Sequence, residues 1–149
     1  VENSADNLFR SDLGGRALKE NNPAEELNRF PEATAGSHYG YPFCWTEYLL
    51  PDGASAPDAS LSGRGTVWAW PSFLAAGVVT DDMCRSPEAY VPPTVAMQAH
   101  LAPLGITFYQ WTEPETRPDH CANVVTFPQA MDGFAFIVFH GSWNRAVPT

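Results

Sequence analysis

Proline and glycine interrupt this chain so often that a helical bundle is excluded. The 149 residues include 14 prolines and 11 glycines, and proline ends a helix because it lacks a backbone N–H and crowds the preceding turn. Between these interruptions the apolar runs are short, as at 104–109 and 134–139, and runs of this length are typical of strands. The sequence therefore predicts an all-β fold of short strands and long loops, in one region that covers residues 1–149.

The run 134–139 is the strongest strand signal, and we expect it to be buried. It changes abruptly into six polar or aromatic residues that begin with His140. A histidine can act as an acid, a base or a ligand. Gly141 permits close approach of a ligand, and Arg145 offers a planar pair of donors that suits a carboxylate. On composition alone, the same six residues favour a loop that satisfies its own hydrogen bonds over a ligand site.

The charge of the chain argues against some classes of partner. The net charge is −9 and the isoelectric point is about 4.6, so no basic patch is expected to neutralise the phosphates of a nucleic acid. The sequence contains no apolar run long enough to span a bilayer. It begins with Val1 rather than Met and stops shortly after the motif at 140–145, so we expect a piece of a longer protein.

Five segments receive local predictions. Residues 1–22 are rich in carboxylates and amides, which either bind calcium or form a solvated loop. Residues 23–28 suit either a short helix or a strand, and the aromatic residues of 36–45 form either a stacking wall or loop anchors. Residues 66–70 are expected to form a strand, or an irregular insertion, and residues 81–85 a turn that delivers Cys84.

Three cysteines, Cys44, Cys84 and Cys121, allow one disulfide and one remaining thiol. No pair has the C-x-x-C spacing of a structural zinc site. Counting alone leaves open whether the thiols are oxidised, or buried and free in a reducing compartment.

Four strings in this chain resemble the glucose/sorbosone dehydrogenase family of quinoproteins. They are 1–6 (VENSAD), 22–28 (NPAEELN) with 38–42 (HYGYP), 100–105 (HLAPLG) with 108–109 (FY), and 134–145 (FAFIVFHGSWNR). Their order and spacing match the second half of that family's domain. The resemblance implies a partial six-bladed β-propeller of roughly two to three blades, which forms the C-terminal part of the domain.

The resemblance also implies a cofactor and an activity. The family oxidises a sugar of the aldose, pyranose or sorbosone type by hydride transfer to pyrroloquinoline quinone, which is held with calcium. The family's catalytic histidine lies upstream of this segment, so no catalytic residue is expected here and the chain alone is not expected to be active. The cofactor-binding residues implied are His100, His140, Trp143 and Arg145. As an alternative, His100 is a core histidine bonded to a backbone carbonyl.

Calcium would be bound by the backbone at Ser4 and Ala5, where relatives usually have Gly-Pro. The similar secreted relatives imply an extracellular protein with a Cys44–Cys84 disulfide, and Cys121 would pair outside this chain. The expected partners are the sugar and the remaining blades, or partner chains in their place. The competing functions are a non-enzymatic propeller module that binds carbohydrate or protein, and a structural fragment held in an assembly.

Overall fold

The computed structural model describes residues 6–52, 54, 61–121 and 124–141. Every strand in this part is short, since the longest has six residues. The strands are β1 (Glu25–Leu27), β2 (Cys44–Thr46), β3 (Val67–Ala69), β4 (Val95–Met97), β5 (Pro103–Phe108) and β6 (Ala135–Phe139). The helices are α1 (Pro71–Ala75) and α2 (Asp81–Arg85). Short 3-10 helices lie at Ser11–Leu13, Arg16–Glu20, Glu32–Thr34, Pro114–Thr116, Asp119–Cys121 and Gln129–Met131.

The strands form three small antiparallel sheets: β1 pairs with β4, β2 with β3, and β5 with β6. The first two sheets are joined where the Ala24 N–H donates to the Thr46 carbonyl oxygen at 2.8 Å. Short antiparallel sheets connected by long loops agree with the predicted all-β class. None of the helices in the described part of the chain has both the length and the apolar character that a membrane crossing requires.

The structure decides several of the local alternatives. The segment 23–28 contains strand β1, and 66–70 contains strand β3. The prediction of a turn at 81–85 was wrong, because these residues form helix α2. The Thr80 hydroxyl accepts a hydrogen bond from the Met83 N–H and so caps the first turn, which stabilises a helix too short to form alone.

The hydrophobic core lies in the first two thirds of the chain and has two parts. One is formed by Trp45 and Trp68, whose rings stack at 6.4 Å, together with Leu8, Leu13 and Leu18. The other surrounds the disulfide between Cys44 and Cys84, which is the pair that the resemblance implied. Cys121 is a free, partly exposed thiol.

A buried ion pair attaches the N-terminal loop to helix α2. The Arg10 side chain is only 4% exposed and donates two hydrogen bonds to Asp81, at 2.6 and 2.8 Å. It also bonds Asp12 and lies 5.7 Å from the centre of the Trp68 ring. Burial lowers the pKa of Arg10, but the hydrogen bonds to Asp81 and Asp12 outweigh burial and raise the pKa overall.

The two predicted strands around 104–109 and 134–139 are confirmed, and they pair with each other. Ile106 lies opposite Ile137 and Thr107 lies opposite Phe136, so apolar side chains occupy both faces of this sheet. The expectation that the run 134–139 is buried was wrong for this chain, since Val138 is 63% exposed. The apolar sequence of 134–139 favours a strand locally, but burying that strand requires other elements packed on its sheet, and the described residues do not provide them.

Candidate functional site

Two segments that carry the family resemblance meet at one end of the β5–β6 sheet. The His140 N–H donates to the Ala102 carbonyl oxygen at 3.1 Å, and the Gly141 N–H donates to the Leu101 carbonyl oxygen at 2.8 Å. These bonds continue the strand pairing beyond its last pair, Pro103 with Phe139. The two hydrogen bonds therefore hold side by side two segments that are far apart in the sequence. We call this region, residues 100–103 with 139–141, the rim.

His140 is the exposed histidine of the rim. Its Nδ1 lies 3.2 Å from the Gly141 carbonyl oxygen, and because a carbonyl only accepts, Nδ1 carries the proton of this contact. The Nε2 atom has no hydrogen-bond partner among the described residues. Two further predicted cofactor residues, Trp143 and Arg145, lie outside the described residues.

His100 has a different environment, because it is 5% exposed and its ring faces the protein. Its Nε2 lies 2.6 Å from the Lys19 carbonyl oxygen, so Nε2 is the donor. Its backbone has a φ of 63°, which few residues other than glycine adopt. The geometry matches the alternative of a core histidine bonded to a backbone carbonyl, and His100 fixes the loop that precedes β5.

Strand β1 also contacts the rim, through the side chain of Glu25. The Ala102 N–H donates to Oε1 of Glu25 at 3.3 Å, and Glu25 in strand β1 is buried. Sequence reasoning missed both Lys19 and Glu25 as parts of this region. Lys19 is 81 residues from His100 and contributes only its backbone oxygen, so no side-chain pattern could have identified it.

Two buried carboxylates lie near this support. Burial raises the pKa of Glu26, although hydrogen bonds from Thr46 and Asn28 act in the opposite direction. Burial also raises the pKa of Glu47, against hydrogen bonds from the Trp68 indole and the Gly63 N–H. Neither carboxylate belongs to a metal cluster, since the described residues contain no group of three or more His, Cys, Asp or Glu that could hold a metal ion.

The calcium prediction at Ser4 and Ala5 lies outside the described residues. The aromatic loop 36–45, for which the sequence left open a stacking wall or loop anchors, is anchored to the core. The His38 ring packs edge-on against Tyr90 at 4.9 Å, and Phe43 packs against Phe73 at 4.8 Å. These aromatic residues are loop anchors.

Comparison with known proteins identifies the family. A family model described as TrAA12-like matches residues 1–149. The chain belongs to the TrAA12-like family. This TrAA12-like chain is 38% identical over 112 residues to a pyrroloquinoline quinone-dependent sugar dehydrogenase of Hypocrea jecorina, with 72% of the chain covered. It is 29% identical over 154 residues to a pyrroloquinoline quinone-dependent pyranose dehydrogenase of Coprinopsis cinerea, with 99% of the chain covered.

A solved structure is similar over almost the entire TrAA12-like chain. It is a calcium structure of a Trichoderma reesei member of carbohydrate-active enzyme family AA12, with a TM-score of 0.68, 31% identity and 99% of this chain covered. The chain covers 30% of that structure, 24% of the Hypocrea relative and 17% of the Coprinopsis relative. The TrAA12-like chain thus spans less than a third of the length of each of these proteins.

Proposed function

We propose that this chain is the C-terminal part of a quinoprotein sugar dehydrogenase of the glucose/sorbosone type, and that it supplies part of the cofactor site. One observation carries the proposal: the segments 100–103 and 139–141, both of which resemble the family, are hydrogen-bonded into a single rim. Such a rim, at the end of an apolar sheet and with an exposed histidine, is a common place for a ligand site. Because the relatives are a sugar dehydrogenase and a pyranose dehydrogenase, a sugar is the proposed substrate.

The proposed architecture is two to three blades of a six-bladed propeller. Its support is the β5–β6 sheet, in which Ile106 and Ile137 lie on one face and Phe136 and Val138 on the other. Both faces are partly exposed, and a blade inside a propeller is covered by neighbouring blades on both sides. We propose that the remaining blades of the same protein cover these faces.

Pyrroloquinoline quinone is an aromatic carboxylate, and Arg145 and His140 are residue types that suit such a molecule. Arg145 would bind a carboxylate through its paired N–H groups, with His140 beside it and Trp143 shaping the wall. His100 contributes by fixing the loop, since its Nε2 is already bonded to Lys19. When bound, pyrroloquinoline quinone would supply the two-electron acceptor for the hydride of the sugar. The catalytic base would come from the part of the protein upstream of this chain.

Calcium completes the proposed cofactor site, with the backbone at Ser4 and Ala5 as ligands, and the calcium structure of the Trichoderma relative supports its inclusion. Backbone oxygens tolerate a change of side chain, so Ser-Ala in place of Gly-Pro is compatible with this role. We further propose secretion, because a disulfide between Cys44 and Cys84 is typical of an oxidising compartment.

The experiment that tests the proposal is a titration of pyrroloquinoline quinone, with calcium, into the full-length protein. Loss of a charge-assisted contact costs about 1.5–3 kcal/mol, so Arg145→Ala should bind the quinone roughly ten- to hundred-fold more weakly. Arg145→Lys should recover only part of the loss, because lysine keeps the charge but not the paired N–H groups. His140→Ala should also bind more weakly.

Arg29→Ala is the control, because Arg29 is exposed and lies outside the rim. Melting temperatures of all variants separate binding from stability. Equal quinone affinity in every variant, with a lower melting temperature for Arg145→Ala, would mean that Arg145 only holds its loop, and the cofactor role would be withdrawn.

A further inference from the structure

A concave site lies in the loop that precedes β1. It is an open pocket of about 410 Å³, lined by Asn7, Leu8, Phe9, Arg16 and Lys19. This volume lies within the range of about 300–1,000 Å³ typical of small-molecule sites. Lys19 connects the pocket to the rim, because its carbonyl oxygen accepts the hydrogen bond from His100.

The backbone brings the aromatic and cationic side chains of this pocket together. Arg10 and Gly15 form an isolated antiparallel bridge, so the residues just outside it, Phe9 and Arg16, are neighbours across the loop. Gly15 permits this tight turn with a φ of 63°, and the nearest side-chain atom to its position is in the Phe9 ring. Phe9 is 52% exposed and therefore offers an apolar surface to solvent.

The 3-10 helix Arg16–Glu20 then places two cations on one side. In a 3-10 helix, side chains three positions apart are eclipsed, so Arg16 and Lys19 project from the same face. Leu18 points inward and is fully buried. Two like charges at this spacing repel each other, and an anion between them would remove that cost.

No carboxylate neutralises these cations in the described part of the chain. Neither the Arg16 guanidinium nor the Lys19 ammonium group has an ion pair or hydrogen bond with a described residue, and no described acidic residue lines the pocket. The adjacent Asp12 is bonded to Arg10. Two unpaired cations are unexpected in a chain with a net charge of −9, which repels anions elsewhere on its surface.

We propose that this pocket, which we call the Phe9–Arg16–Lys19 pocket, binds the carboxylate of an acidic sugar. The carboxylate lies between the guanidinium of Arg16 and the ammonium group of Lys19, and the apolar face of the sugar ring packs on Phe9. The Asn7 amide has the capacity to bond ring hydroxyls. The choice of a sugar rests on the proposed function, and it deepens that proposal by naming uronic acids as a preferred substrate class.

Direct binding to the full-length protein, without any redox readout, tests this inference. Calorimetric titrations with D-glucuronate, D-glucose and acetate at one ionic strength separate the contributions of ring and carboxylate. We expect glucuronate to bind most tightly. It should bind at least roughly tenfold more weakly to the doubly substituted Arg16→Gln, Lys19→Gln protein, because both charge-assisted contacts become neutral hydrogen bonds. Arg29→Gln, which removes an exposed cation elsewhere, should bind glucuronate like the wild type. Phe9→Ala should weaken glucuronate binding and leave acetate binding unchanged.

Three results would overturn the inference: glucose binding as tightly as glucuronate, acetate binding as tightly as glucuronate, or glucuronate affinity unaffected by the double substitution. A double substitution that weakened only quinone binding would also overturn it and assign the pocket to the cofactor. Failure of the dehydrogenase proposal would be seen separately, as a wild-type protein that does not bind the quinone, and the glucuronate comparison would remain readable.

Discussion

The ion pair between Arg10 and Asp81 provides the sharpest test of how this fold is held together. Asp81 accepts two hydrogen bonds from Arg10 and a third, at 2.8 Å, from the Ala69 N–H. It therefore joins the N-terminal loop, strand β3 and helix α2. Its side chain is 17% exposed, so solvent cannot readily replace these bonds.

The substitution Asp81→Asn keeps the shape but removes the charge. An amide has one acceptor oxygen in place of two, so one Arg10 N–H would face an NH₂ group and lose its partner. Hydrogen bonds to charged groups are worth about 1.5–3 kcal/mol each, and Arg10 retains Asp12 as a second partner. We expect Asp81→Asn to lower the free energy of unfolding by about 2–3 kcal/mol.

The neighbouring residue offers a matched control. Asp82 is also in the first turn of α2 and forms an ion pair with Arg85, but its side chain is 92% exposed. Asp82→Asn makes the same chemical change with a similar loss of favourable interaction with the helix dipole. Because exposed ion pairs are weak, we expect a cost of about 0.5 kcal/mol or less.

Urea denaturation of the full-length protein, followed by circular dichroism under oxidising conditions, measures both variants. Domains that unfold separately must be fitted separately. If the two variants lost the same stability, or if Asp81→Asn lost less than about 1 kcal/mol, the pair would not be the buried brace that its geometry indicates.

Three further predictions concern other parts of the fold. Replacing Cys44 and Cys84 together by Ala should lower the free energy of unfolding by about 4 kcal/mol, estimated from a sequence separation of 40. Cys121→Ala, which removes no disulfide, should not lower it. Similar denaturation midpoints for both proteins would contradict this prediction. Burial raises the pKa of Glu26 above its ordinary value of 4.5, so the native state holds this proton to higher pH than the unfolded chain does, and stability falls as the pH rises from 4.5 through the native pKa. Glu26→Gln should make urea midpoints measured from about pH 4 to about pH 7 fall less steeply, and an unchanged slope would exclude Glu26 as the cause. Gly14→Ala should destabilise the protein by at least about 1 kcal/mol more than Gly36→Ala. A Cβ at Gly14 would lie 2.7 Å from Pro51, whereas a Cβ at Gly36 would have none of the described atoms within 4 Å. Equal melting temperatures of the two variants would refute the clash.

Local sequence patterns were reliable where the residues themselves impose the backbone conformation. The strand at 135–139 follows from five apolar residues after a Gly133 turn, and its partner at 103–108 follows from β-branched and aromatic residues. Helix α2 was missed because five residues contain too little periodicity to detect. Its signals were local, namely the Thr80 cap and the carboxylates of the first turn.

The candidate site was only partly predictable. The resemblance brought attention to His100 and His140, and the structure places both at the rim, but in different roles. His140 is exposed, whereas the ring of His100 is committed to a carbonyl oxygen 81 residues away. The sequence cannot distinguish these environments, because the type of residue is the same and only its neighbours differ.

The sequence by itself determined the class of the fold, since the density of proline and glycine and the short apolar runs permit little besides short strands and turns. The strand pairings, the Arg10–Asp81 brace, the exposure of the β5–β6 sheet and the convergence of Arg16 and Lys19 with Phe9 were decided by tertiary structure alone. The physical reason is that local conformation depends on adjacent residues, whereas burial, ion pairing and pocket shape depend on groups that are distant in sequence and that only the complete fold brings together.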